Sequence, residues 1–262
     1  MIKKAEIDNG RGFDWGRASR DYARYRDIYP REFYQKILDM GACVKGQRVL
    51  DMGTGTGVLP RNLYPYGAAF TGIDISENQI QQAILLAEEQ RAEIDFFCMP
   101  AEKMDFPDLS FDVVTACQCF TYFDHEALAP RLSKILCLQG RLIVLYMAWL
   151  PFEDPVAGQS EALVLKYNPE WTGCGEKRHP IAIPEIYSQY FTIESQEVFD
   201  LRVPFSRESW NGRMKACRGI EASLPEEDIA AFDAEHRHLL AAAAPEKFKV
   251  RHYAAISVLR KR

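Results

Sequence analysis

No apolar run in this chain is long enough to cross a bilayer. The longest, Leu142 to Leu150, covers nine residues, against about 20 for a spanning helix. Charge of one sign is also missing. The chain has 32 Lys and Arg against 37 Asp and Glu, for a net charge of -5, and no basic block stands out beyond the short C-terminal Arg260-Lys261-Arg262. That balance argues against binding the phosphate backbone of nucleic acids. The seven cysteines (Cys43, Cys98, Cys117, Cys119, Cys137, Cys174 and Cys217) form no C-x-x-C pair, and most sit in apolar runs. They are expected to be buried free thiols of a reducing compartment, with no metal site. The first eight residues, Met-Ile-Lys-Lys-Ala-Glu-Ile-Asp, lack an apolar core for secretion. Cytoplasmic localisation without membrane association is the expectation.

What the chain does have is a hydrophobic content of 47% with 26% charged residues over 262 positions, enough for one large α/β core. Its most informative stretch is Arg48-Val-Leu-Asp-Met-Gly-Thr-Gly-Thr-Gly57. Val49 and Leu50 are strand formers, Asp51 closes the strand, and Gly53, Gly55 and Gly57 follow at alternate positions around Thr54. Glycines at that density let a ligand lie against bare main chain. The spacing Gly-x-Gly-x-Gly departs from the dinucleotide fingerprint Gly-x-Gly-x-x-Gly. It departs also from the phosphate loop, because position 58 is Val and no Lys follows. A plain strand-to-helix turn is the competing reading of the loop alone.

Strand-like and helical segments alternate from residue 44 to residue 147. The pattern predicts strands over 44–52, 68–73, 94–99, 111–116 and 142–146. Helices are expected over 58–66, over 77–90 behind Ser76 as N-cap, and over 126–138 with Gly140 as its terminator. Such alternation implies a doubly wound, mostly parallel sheet. Residues 148–190, with five prolines and Trp149, Tyr167 and Trp171, read as an insertion that caps a substrate cleft or packs as core. Within it, Arg178 and His179 are candidates for holding an anion. A strand over 191–203, helices over 207–222 and 226–243, and a strand over 248–259 complete the sheet. Residues 1–43 form a helical preface. The segments are therefore 1–43, 44–147, 148–190 and 191–262.

In such sheets the ligand lies beyond the carboxyl ends of the strands. Asp74, in Gly-Ile-Asp-Ile-Ser and 17 positions after Gly57, is placed to accept hydrogen bonds from two ribose hydroxyls. An acid favoured by a helix N-terminus is the alternative. Pro100-Ala101-Glu102 follows the third strand and Gln118-Cys119-Phe120 the fourth.

These three motifs, with Ala101-Glu-Lys-Met-Asp-Phe-Pro-Asp-Leu-Ser-Phe-Asp-Val-Val114, resemble the class I S-adenosylmethionine-dependent methyltransferases, and among them the small-molecule enzymes of the type 11 kind. The resemblance covers residues 18–147 and implies a seven-stranded Rossmann-like sheet. It also implies S-adenosylmethionine as cofactor, S-adenosylhomocysteine as product, and a small-molecule methyl acceptor. By the same resemblance Gly53, Gly55 and Gly57 pack on the methionine and ribose. Asp51 orients the loop or holds the amino group, Asp74 binds the ribose, and Ile75 lies on the adenine. Ala101 and Glu102 border the adenine edge, and Gln118 sits beside the methionine. Tyr22-Ala-Arg-Tyr-Arg26-Asp-Ile-Tyr-Pro30 is similar to a Tyr-x-x-x-Arg-Pro-x-Tyr-Pro pattern of trans-aconitate methyltransferase-like relatives. It implies that Tyr22 and Arg26 close over the methionine end, whereas a surface salt bridge is the plainer role for Arg26. The chain departs from those relatives at Thr121-Tyr122-Phe123, where they carry His-Trp-Phe. It also lacks the Asn/Asp-Pro-Pro-Tyr signature of base methylation. No residue declares itself as a general base among His125, His179, His236, His238 and His252. A nucleoside-binding regulator without catalysis and a nicotinamide-dependent oxidoreductase are the other readings. A monomer or homodimer is expected.

Overall fold

The computed structural model describes residues 2–262. Two compact units share the chain. The first comprises residues 1–29, 148–178 and 200–253, and the second residues 30–147, 179–199 and 254–262. The unit boundary at Tyr29–Pro30 falls inside the preface, and that at Arg178–His179 inside the insertion.

In chain order the helices are α1 Ser19–Tyr25, α2 Arg31–Asp39, α3 Val58–Leu63, α4 Glu77–Gln90, α5 His125–Ile135, α6 Pro155–Tyr167, α7 Arg207–Lys215 and α8 Glu226–Ala243. The strands are β1 Arg48–Met52, β2 Ala69–Asp74, β3 Asp95–Cys98, β4 Phe111–Cys117, β5 Leu136–Trp149, β6 Phe191–Ser206 and β7 Lys247–Lys261. The sheet order is β3-β2-β1-β4-β5-β7-β6, and β3, β2, β1, β4 and β5 run parallel to one another. This is the α/β, mostly parallel, seven-stranded arrangement expected from the alternation. The order reverses at β1, where β2 and β4 flank it, and that switch point sets the ligand crevice at the carboxyl end of β1.

In the second unit, Leu50, Met52, Ile73, Val114, Ala116, Leu142 and Val144 bury one sheet face with Leu128, Leu132 and Ile135 of α5. Helix α4 starts where Ser76 Oγ accepts the Gln79 N–H. It ends at Arg91, which takes a left-handed φ of 54° and donates its N–H back to Ala87 and Glu88.

Several boundaries differ from the sequence reading, among them that of β5, which runs from Leu136 to Trp149 rather than 142–146. β1 begins at Arg48 rather than residue 44, because residues 44–47 form a turn. Gln47 N–H donates to the Val44 carbonyl, and Gln47 Oε1 accepts the Val44 N–H. Helix α5 stops at Ile135, and Gly140 does not terminate it. Leu136 is already extended, pairing with Phe111, whereas Val113 pairs with Arg141, so residues 137–140 are a bulge inside β5. Helix α7 closes at Lys215 rather than residue 222. Among the described residues no helix is long and apolar enough to cross a membrane.

The first unit is built on aromatic packing. Trp149, Trp171 and Trp210 are buried, with Trp149 centroids 6.5 Å and 5.8 Å from the other two. Trp149 Nε1 donates to Glu161 at 2.7 Å, and Tyr167 donates to Glu235 at 2.8 Å. These are the bonds of core aromatics whose polar ends find partners. His236 lies between Asn211 Oδ1 and Ser160 Oγ, at 2.8 and 2.9 Å. Burial pushes it down to about 4, so it is a neutral packing residue.

Candidate functional site

Each of the three loop glycines adopts a left-handed backbone, with φ of 60°, 57° and 70° at Gly53, Gly55 and Gly57. Two are needed for space as well. A Cβ on Gly53 would stand 2.7 Å from Cys119 Cβ and 2.8 Å from its Sγ, and one on Gly57 would stand 2.9 Å from the Phe96 ring. Gly53→Ala therefore adds a left-handed strain of about 1–2 kcal/mol to an overpacking cost of about 1–3 kcal/mol. A loss of roughly 2–5 kcal/mol in urea unfolding is expected. A change below 0.5 kcal/mol would mean that the loop relaxes away from Cys119.

The loop is tied to the second strand by two bonds. Thr54 N–H donates to the Ile73 carbonyl at 2.9 Å, and Gly55 N–H donates to Asp74 Oδ2 at 2.9 Å. The other Asp74 oxygen accepts the Ser76 N–H at 2.8 Å. Both oxygens thus hold backbone donors, with the Ile75 N–H as a third, and the remaining lone pairs can accept from a ligand hydroxyl. Burial raises the Asp74 carboxyl above its ordinary value, against the pull of those backbone donors. Asp51, 2% exposed, sits at the end of β1 and accepts the Thr115 hydroxyl at 2.6 Å. Burial pushes its carboxyl up to about 6, with Thr115 and Thr54 opposing and the Asp74 charge adding to the rise. Neither acid forms an ion pair among the described residues.

Beside them Ile75 is 61% exposed, an apolar side chain left bare next to a buried carboxylate. Ala101 is buried at the start of a short 3-10 turn, and Glu102 Oε1 accepts the Asp124 N–H at 2.9 Å. Gln118 takes a left-handed φ of 66°. Its N–H donates to Leu145, and its side-chain amide donates to the Met147 carbonyl, which anchors it at the β4–β5 end. The loop, Asp51, Asp74, Ile75, Ala101, Glu102 and Gln118 all belong to the second unit.

Tyr22 and Arg26 belong to the first. There Arg26 Nη2 donates to the Tyr22 hydroxyl at 3.3 Å, with the guanidinium 4.6 Å from the ring centroid. No carboxylate pairs with it among the described residues, so the surface salt bridge considered for Arg26 is not formed. Arg178, read as an anion holder, is instead clasped by Glu153 and Asp200. Two acids saturate its fork and leave no charge for a ligand.

Sequence reasoning missed Thr115, and it placed Cys119 at the strand end without giving it a role. Thr115 faces Asp51 directly in the β1–β4 register, and a lone hydroxyl in Phe111-Asp-Val-Val-Thr-Ala was the available signal. Cys119 donates its S–H to the Met52 carbonyl at 3.0 Å. Only Cys43 and Cys217 are buried, so the expectation of mostly buried thiols does not hold. Burial nonetheless raises the thiols of Cys43, Cys98, Cys119, Cys137, Cys174 and Cys217, which disfavours thiolate chemistry. All seven cysteines are free, and no group of three metal-ligating residues occurs among the described residues.

Residues 49–139 match the family model described as a methyltransferase domain. That segment is similar to the methyltransferase domains of S-adenosylmethionine-dependent enzymes. It is 31% identical over 150 residues to a ubiquinone biosynthesis O-methyltransferase of Bradyrhizobium diazoefficiens, covering 56% of this chain and 58% of the relative. The chain thus spans little more than half the length of that relative. Two solved structures share the fold. One is a phosphoethanolamine N-methyltransferase 2 of Haemonchus contortus, with a TM-score of 0.55 at 17% identity, covering 93% of this chain and 57% of the other. The second is a putative sarcosine dimethylglycine methyltransferase of Galdieria sulphuraria, with a TM-score of 0.52 at 14% identity, covering 92% and 87%.

Proposed function

We propose that the protein transfers the methyl group of S-adenosylmethionine to a small-molecule acceptor by in-line displacement. One observation carries the reading: a glycine loop framed by two carboxylates, Asp51 and Asp74, with no cation paired to either. Such a site attracts a positively charged ligand and repels a diphosphate, which supports a sulfonium donor over a nicotinamide dinucleotide.

The residues fit the donor. Gly53, Gly55 and Gly57 present main chain without Cβ to its methionine and ribose. Asp51 holds the ammonium, with the Thr115 hydroxyl fixing the carboxylate. Asp74 accepts the ribose hydroxyls on the lone pairs its backbone donors leave, and Ile75 covers the adenine face. Ala101 and Glu102 border the adenine edge, and Gln118 walls the methionine side. When bound, the cofactor supplies an activated methyl group on sulfur, so the protein contributes alignment and a dry site rather than a strong base. Proton removal matters only for a protonated acceptor. Of the histidines, His236 and His252 are buried and held neutral, pushed down to about 4 and about 3.

Methyl transfer from labelled S-adenosylmethionine to a panel of phenols, amines, thiols and carboxylic acids tests the activity, with Asp74→Ala as control. Turnover lost in Asp74→Ala is the expected result. Turnover equal in the two proteins would contradict the site.

A further inference from the structure

The first unit holds three buried or half-buried cations on α7 and the residues just after it, and they are not treated alike. Lys215 pairs with Asp21 at 2.7 Å. Arg218 pairs with Asp8 at 2.8 Å. Arg213 has no acid. It is 5% exposed, and its Nε and Nη1 have no hydrogen-bond acceptor among the described residues. Its guanidinium lies 4.9 Å from the Trp149 ring centroid. The charged and titratable groups that act on it are Arg26, Cys217, Tyr22 and Tyr29. Burial and the repulsion of Arg26 drive it down to about 9, against an ordinary value of 12.5.

An uncompensated buried guanidinium is expensive, because each unmatched donor loses its water without replacement. Stacking on Trp149 returns only part of that. A second cation beside it raises the cost further. The arrangement lacks one component, a planar anion, and the ligand classes are few. One guanidinium matches a carboxylate in charge and in flat, forked geometry, and Arg26 adds a second positive charge that favours an anion there. The Trp149 ring against which Arg213 stacks offers an apolar face for a carbon skeleton. A dianionic phosphate would call for a denser set of donors than this site offers.

We propose that Arg213, with Arg26 beside it, is the receptor for the carboxylate of an organic acid bound in the first unit. Binding of the acid within the first unit does not rest on the activity proposed above. The methyl donor carries a carboxylate of its own, so the test must separate the two sources.

Calorimetry on the full chain uses benzoate, hexanoate and cinnamate as probes, with benzamide as the neutral isostere of benzoate. At least one acid is expected to bind, benzamide at least tenfold more weakly than benzoate where benzoate binds. Arg213→Gln is expected to weaken the acid at least tenfold while leaving S-adenosylhomocysteine within twofold. Arg213→Lys keeps the charge without the planar fork and should fall between; it serves as the readout if Arg213→Gln does not fold by circular dichroism. If Arg213→Gln instead weakens S-adenosylhomocysteine tenfold, and its decarboxylated analogue not at all, the carboxylate site stands and its anion is the donor's. Acid binding that is the same in wild type, Arg213→Gln and Arg213→Lys overturns the proposal. So does the absence of any acid binding together with unchanged S-adenosylhomocysteine affinity in the variants. Failure of S-adenosylhomocysteine to bind the wild type, with acid binding intact and sensitive to Arg213, would remove the methyltransferase reading and leave this one.

Discussion

Asp74→Ala weakens S-adenosylhomocysteine binding by about 2–3 kcal/mol, the order for hydrogen bonds to a charged group. That is a roughly 30- to 150-fold rise in Kd. The loss has two sources. In the proposed site the carboxylate accepts the ribose hydroxyls, and it also holds the loop, because Gly55 N–H donates to Asp74 Oδ2 at 2.9 Å. Asp74→Asn separates them. An amide keeps one acceptor oxygen but places an NH2 group toward either Gly55 or the ribose, so it should recover only part of the affinity. Calorimetry checks both variants, with a thermal melt to show that they are folded. Wild-type affinity in Asp74→Ala would take this residue out of the site.

The second large effect is on pH dependence. The Asp51 carboxyl is raised to about 6 because burial penalises its charge. A ligand ammonium placed against it favours the ionised form, so the bound state holds the proton less tightly than the free one. Cofactor affinity therefore falls as the pH drops through 6, by about tenfold between pH 7 and pH 5 for a single group of that pKa. In Asp51→Asn the affinity is lower at pH 7 and flat across the window. Stability without ligand moves in the opposite sense. Between 3.8, the ordinary value, and about 6 the folded chain holds a proton that the unfolded chain has released. Stability from this group is thus present below pH 3.8 and lost as the pH rises through 6, by up to about 3 kcal/mol in all. Urea unfolding of the wild type and Asp51→Asn from pH 4 to pH 7 measures it. A pH-independent difference between the two would show that folding leaves the Asp51 carboxyl at its ordinary value.

Much of the second unit can be read from sequence, because local and global signals agree there. Helix α4 occupies the expected residues 77–90 since Ser76 supplies the cap and Ile80, Ala83 and Ala87 the buried face. The glycine loop is equally plain, as its three glycines sit where φ is positive. Gly140 misled for a physical reason: glycine marks helix ends and bulges alike, and only pairing with β4 distinguishes them. Thr115 is invisible as a site residue until the register sets it opposite Asp51. Arg178 and Arg213 show the same limit in reverse. Both are arginines in polar stretches, and partner acids from distant segments decide which one keeps an open charge.

Calorimetric titration of the wild-type chain with S-adenosylhomocysteine and with NAD, side by side at pH 7.5, tests the central claim most directly. The two carboxylates around the glycine loop predict saturable one-to-one binding of S-adenosylhomocysteine and no detectable binding of the diphosphate. Binding of NAD without S-adenosylhomocysteine would contradict it.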